Sequence, residues 1–198
     1  MKYNNWTLGQ IEAVFNKLGG DEGVRLFLAG ELMVKPVDRN WSTWKTIRLG
    51  TNGLKTADDF RKSLKDNGFS IGDHANDILG KPAFTVAAEE IELDLVVASV
   101  AEIGFKDGAT REQIYARAKE HGLDLCPAEV GPQLRLQYKD QPNGEWLIVA
   151  MEPIAGSVGY LQLFYVERDD SALWLYSFSD RPVHVWGSDA RFVFSRRK

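Results

Sequence analysis

Residues 146–195 read WLIVAMEPIAGSVGYLQLFYVERDDSALWLYSFSDRPVHVWGSDARFVFS, and the parsing of this stretch decides the fold. Five extended segments are predicted in it: Trp146 to Met151, Leu161 to Glu167, Leu173 to Phe178, Val183 to Trp186 and Arg191 to Ser195. All are rich in β-branched or aromatic residues, which suit a pleated surface. Asp169-Asp170-Ser171 and Ser179-Asp180 supply turns between neighbours, so antiparallel hairpins are expected. Upstream, Ile91, Leu93, Leu95 and Val97 alternate with Glu92, Asp94, Val96 and Ala98, a strand period with one face buried.

Ahead of these strands the period changes to that of helices. Thr7 with Gln10, Thr56 with Asp59 and Thr110 with Gln113 each have capping-box spacing, in which two side chains satisfy each other's free backbone amides. After Thr7, Leu8, Ile11, Val14, Phe15 and Leu18 form one apolar face, closed by Gly19-Gly20. Asp21 is expected to cap a second helix that buries Val24, Phe27 and Leu28. Phe60 and Leu64 mark a helix that Gly68 ends, Ile71 to Leu79 is read as another, and Ile114, Tyr115 and Ala118 mark a third that Gly122 ends. A further helix follows Pro127, with Gly131-Pro132 near its start. Trp44 to Leu49 is read as a strand, Thr51-Asn52-Gly53 as a turn and Lys81 to Ala88 as a connector. The expected fold is α+β: a mostly helical half, 1–85, and a half, 86–198, in which an aromatic-rich antiparallel sheet packs with helices on one face. The two halves are read either as domains or as one continuous domain.

The charge balance excludes some partners. The chain has 24 Lys and Arg against 28 Asp and Glu. Cut at Ser99, each half has 12 basic and 14 acidic residues, which sum to those totals, so composition alone supplies no clustered positive field for nucleic acids, and only a local basic patch would provide one. Arg196-Arg197-Lys198 is the one basic run of three. A single cysteine, Cys126, permits no internal disulfide and suits a reducing compartment. The opening MKYNNWTLGQ lacks signal-peptide character, and no apolar run reaches the length that spans a bilayer. A cytoplasmic protein without membrane association is expected.

The stretches NWTLGQIEAVFNKLGG (5–20), GVRLFLAGEL (23–32), WKTIRLGT (44–51), ANDILGKPAF (75–84) and GLDLCPAEVGPQLRLQYKDQPNGEW (122–146) resemble a protein family without assigned function. That family is common in candidate-phylum bacteria such as Parcubacteria. The resemblance covers nearly the whole chain, and the block Cys126 to Trp146 is specific to it. It implies no activity, cofactor or catalytic residue. Its members carry an acidic, Asp- and Gly-rich turn where this chain reads Ile154-Ala155-Gly156-Ser157-Val158-Gly159-Tyr160, so any cation-binding role of that turn is in doubt here.

Several residue sets invite a chemical reading. Cys126 precedes Pro127, and at a helix N-cap its thiol would be acidified into a nucleophile. His121 and Glu129 are close enough in sequence to serve it; otherwise Cys126 is a small buried hydrophobe. His74, His121 and His184 are far apart, and no CxxC, HxxxH or HExxH occurs, so neither a metal nor a cofactor is expected. Phosphate-loop motifs are also missing. The first helix pair resembles a helix-turn-helix, but Asp21, Glu22 and Glu31 would repel phosphates. The pair at 110–138 carries Arg111, Arg117, Lys119 and Arg135 and is the better candidate.

Ten aromatic rings between Trp146 and Phe194 form either the core of a small sheet or a recognition surface beside Arg168 and Arg181. Glu129, Arg135, Tyr138 and Asp140 make a polar set, with Arg135 expected on an exposed face. The leading expectation is a non-catalytic binding or regulatory protein with a protein or small-molecule partner, its binding residues drawn from Arg135, Tyr138, Trp146, Trp174 and Arg181. The alternatives are a hydrolase or transferase using Cys126 with His121 or Glu129, and a nucleic-acid binder using the helices at 110–138.

Overall fold

The Thr7 hydroxyl accepts the Gln10 amide at 3.2 Å while Gln10 Oε1 accepts the Thr7 amide at 2.8 Å, and this closed box starts α1 (Leu8–Leu18). The computed structural model describes residues 6–34, 41–181 and 183–196; Arg197 and Lys198 of the expected basic run lie outside the described residues. The chain divides into two compact units, Met1–Val37 and Asp38–Lys198. The expected division at 85/86 falls inside the second.

In the first unit α1 ends at Gly19, whose φ of 94° also begins α2 (Gly20–Leu28). Asp21 therefore lies within the first turn of α2 and not at its cap, where it still favours the helix dipole. The apolar faces predicted to be buried are open: Leu8, Ile11, Val14, Phe15, Phe27 and Leu28 are all exposed. Two helices this short bury only Gly23, because so few residues cannot enclose a core.

The second unit runs β1 (Lys45–Leu49), α3 (Ala57–Asp66), β2 (Ser70–Ile71), α4 (Asp73–Leu79), β3 (Ile91–Ser99), α5 (Val100–Ile103), β4 (Ala109–Thr110), α6 (Arg111–Glu120), β5 (Leu123–Asp124) and α7 (Val130–Gln137). It ends with β6 (Trp146–Val149), β7 (Ile154–Ala155), β8 (Leu161–Arg168), β9 (Leu173–Asp180), β10 (Val185–Trp186) and β11 (Arg191–Arg196). The fold is α+β. Nine strands form one sheet in the order β1-β3-β11-β6-β8-β9-β2, with β5 on β11 and β7 on β8, and β4 pairs separately with β10. The sheet is mixed: β11 with β6 and β2 with β9 run parallel, and the other pairings are antiparallel. Ile71, read from sequence as the start of a helix, is extended with Ser70 because the two pair with Leu175 and Trp174, and the helix begins at Asp73.

Helices cover both faces, not one. On the first face Gly131 of α7 rests on Phe164, where an added Cβ would lie 2.6 Å from the ring. Phe60 of α3, Phe84 and Phe164 continue edge-on at centroid distances of 5.6 and 6.2 Å. On the second face Tyr115 of α6 meets Phe192 and Phe194 edge-on. This two-sided cover explains β3, where Val96 and Ala98 are as buried as Leu95 while Ile91 is exposed. Strict alternation holds only where one face is wet. The β4–β10 ladder and the Arg111–Asp180 ion pair at 2.6 Å hold the start of α6 against the end of β9.

Two predictions follow from this packing. Gly131→Ala pushes α7 off Phe164 and is expected to destabilise the fold by about 1–3 kcal/mol, read as a lower denaturant midpoint with an unchanged slope. Asp77 accepts the Ser157 hydroxyl and amide, both at 2.6 Å, and pairs with Lys81 at 3.0 Å. Those partners, the Ser157 hydroxyl first, lower its pKa from the ordinary 3.8 to about 2. The stability this contributes is complete above about pH 4 and is lost as pH falls through about 2. Asp77→Asn should therefore lower the melting temperature near pH 6 and have almost no effect near pH 2.

Candidate functional site

The second face is only partly covered. Cross-strand register puts Tyr165 opposite both Ile148 and Tyr176, and Glu167 opposite both Trp146 and Trp174. Side chains alternate along each strand, so Tyr165, Glu167, Trp174, Tyr176 and Trp146 lie on the face away from Phe164 and α7. Toward β11 that face is roofed by Tyr115 of α6 and by Trp186, which packs on Phe178 at 4.5 Å and Phe192 at 5.1 Å. Over β6, β8 and the first half of β9 the rings are half-buried, and Trp146 is 40% exposed.

These rings form an ordered strip. Trp174 stacks on Tyr176 at 4.7 Å with 11° between planes, and Tyr176 stacks on Tyr165 at 5.4 Å and 26°. Trp146 meets Tyr165 nearly perpendicular, at 6.3 Å and 79°. Room for the stack depends on Gly72, where a Cβ would lie 2.4 Å from the Tyr176 ring. Beyond Trp146 the strip opens into a cleft of about 440 Å³ whose lining includes Glu145, Trp146, Asp189 and Arg191.

The strip is acidic. Burial raises the pKa of Glu167, and the neighbouring Asp169 adds to the rise, while a hydrogen bond from Tyr165 opposes it. No basic side chain among the described residues forms an ion pair with Glu167 or Asp169. Asp169 is held by the Ser171 hydroxyl and by the amides of Ser171 and Ala172, which bring its pKa to about 2. Arg168 turns away and donates to the Gln141 carbonyl.

The residues singled out from sequence fall in several places. Trp146 and Trp174 share the strip, with Glu167 between them. Arg181 is at the far end of β9, over the Tyr160 ring at 5.8 Å. Arg135, expected on an exposed face, is fully buried: it lies over Phe69 at 5.2 Å and donates to Gln141 Oε1 and to the carbonyls of Tyr138 and Glu167. Burial lowers its pKa only to about 10, so it stays charged and props β8 behind the strip. Tyr138 is buried, donates to Glu145 at 2.7 Å and carries Lys45 over its ring. Asp140 is a surface residue 3.9 Å from Lys45.

Cys126 is not at a helix N-cap, since α7 begins at Val130. Its thiol is buried and points to the Val193 carbonyl at 3.4 Å, and burial pushes its pKa up, the opposite of an activated nucleophile. His121 is the C-cap of α6, and its Nδ1 has no hydrogen-bond partner among the described residues. Glu129 is buried and is tied into the fold, accepting the backbone amides of Gly50 at 2.7 Å and Ala87 at 2.8 Å and the Gln133 side-chain amide at 3.0 Å. Among the described residues no group of three or more His, Cys, Asp or Glu is placed to hold a metal ion, and no helix is long and apolar enough to cross a membrane.

The helices at 110–138 do not form a helix-turn-helix, because α6 and α7 lie on opposite faces of the sheet. Arg111 pairs with Asp180 and Glu112, Arg117 pairs with Glu120, and Arg135 is in the core. Glu167 went unnoticed in the sequence; its period-two spacing from Tyr165 is the signal that could have found it. Comparisons with protein-family models, curated proteins and solved structures return no match.

The folded protein is expected to resist iodoacetamide at neutral pH and to label stoichiometrically at Cys126 in denaturant, as mass spectrometry would register. Rapid labelling of the native chain would restore the reactive-thiol reading.

Proposed function

We propose that this chain is a non-catalytic cytoplasmic binding or regulatory module that engages a protein or small-molecule partner through the aromatic face of β6, β8 and β9. The observation that carries this reading is the ordered, half-exposed strip of Trp146, Tyr165, Trp174 and Tyr176 on a sheet that helices cover on its other face and in part on this one. Large rings left partly in water forgo burial worth about 25 cal/mol per Å². Contiguous apolar area of this kind marks interaction sites, and Trp and Tyr are over-represented among the residues that dominate binding energy. The burial of Cys126 and the burial of Glu129 among backbone amides further favour binding over catalysis.

The test is a panel of neutral, basic and acidic peptides, oligosaccharides and nucleotides, read by the fluorescence and indole NMR signals of Trp146 and Trp174. Binding is expected to move both indoles, and Trp146→Ala with Trp174→Ala should weaken it at least about tenfold. Far-UV circular dichroism should stay unchanged. A ligand that binds tightly yet leaves both indoles unmoved would place the site elsewhere.

A further inference from the structure

We propose that the strip around Glu167 binds a cationic side chain, an arginine presented by a basic segment of a partner protein. This rests on the binding role proposed above and names the chemistry of the occupant.

The first support is the row Trp146, Glu167, Trp174, directly opposed across three adjacent strands. Directly opposed residues on neighbouring strands have Cβ atoms about 5 Å apart, so the carboxylate rises between two indoles. A guanidinium placed there can take the carboxylate with two parallel hydrogen bonds and lie against an indole face. Cations over tryptophan faces are among the stronger contacts a half-dry site can make.

The second support is charge. Asp169, Asp170 and Asp189 flank the row, and of the nearby basic groups Arg168 is turned to Gln141 and Arg191 is paired with Glu145. The partner surface this complements is basic.

The ring geometry argues against other occupants. Tyr176 is stacked on both sides, and Trp174 and Tyr165 each give it one face. The free faces belong to rings at the ends of the strip, so no broad platform is offered to a sugar or a run of bases. Nucleotides would also bring phosphate toward Glu167 and Asp169. A point charge needs only one ring face and one carboxylate, and that is what the row supplies.

The experiment titrates the full chain with a Gly-Ser peptide carrying three arginines and with the same peptide carrying citrulline, the neutral isostere. Indole NMR signals are assigned with Trp146→Ala and Trp174→Ala. The arginine peptide is expected to move both indoles, with the citrulline peptide at least about tenfold weaker. Glu167→Gln should bring the arginine peptide down to the citrulline level, while Glu152→Gln, the same charge change on another part of the surface, should leave affinity unchanged. Equal binding of the two peptides, or equal weakening by E167Q and E152Q, overturns the arginine site while leaving the face a binding surface. Indole shifts with a neutral peptide or oligosaccharide alone do the same. No shift with any member of the panel overturns both readings.

Discussion

The carboxyl group of Glu129 sits inside the protein, where a polar group must find hydrogen-bond partners to be tolerated. It accepts backbone amides from Gly50 at the end of β1 and Ala87 in the connector, together with Gln133 one turn along α7. Three segments distant in sequence are thereby brought to one point at the start of α7. At the other end of this helix the two terminal nitrogens of Arg135 donate to the carbonyls of Tyr138 and Glu167 and to Gln141, while its Nε has no partner among the described residues. Between them Gly131 admits the ring of Phe164. Helix α7 is therefore held in register against β8 and β9 by polar bonds at both ends and close packing in the middle.

The position of α7 decides what the opposite face can do. Phe164, Val166 and Leu175 are committed to the helix side and fully buried. By alternation Tyr165, Glu167, Trp174 and Tyr176 must take the other side. There α6 covers Phe192 and Phe194 and, through Arg111 on Asp180, the last residue of β9, with Tyr115 bonded to the Met151 backbone, and it leaves the first half of β9 open. The covered and uncovered halves of this face share one sheet, so the rings of the strip stand on strands that are rigid from behind. A surface mounted in this way loses little conformational freedom on binding.

Much of the fold was legible because its signals are local. Thr56 with Asp59 and Thr110 with Gln113 close their boxes within one turn, and the strands around Phe164, Tyr176 and Phe194 carry their own β preference. What stayed hidden depends on distant partners. Ser70-Ile71 is extended only because β9 lies beside it, and the two-residue strands β4, β5, β7 and β10 exist through their neighbours. Arg135 is expected at the surface because charged side chains default to water, and nothing local marks Glu129 as buried; the amides and carbonyls that retain them come from segments as far away as Gly50 and Glu167. The open apolar face of α1 is the reverse case, a helical period that the local sequence sets without saying what would cover it. For the strip, Trp146 and Trp174 were identifiable as ring types on strands, but their meeting through Glu167 required the register.

Glu167 is hard to account for by folding alone. Between two indoles, at a cross-strand position, a β-branched or aromatic residue would pair better and would fit the pleated surface. A carboxylate there loses solvation and feels the like charge of Asp169, which is why its pKa rises. Local choices that work against the fold concentrate at places shaped by something other than stability. A cation brought from outside reverses both penalties at once: it supplies the missing opposite charge, and it exchanges water for the face of an indole. In the unliganded chain the row Trp146, Glu167, Trp174 is a small local frustration, and the same three side chains become mutually supportive only when a positive charge joins them.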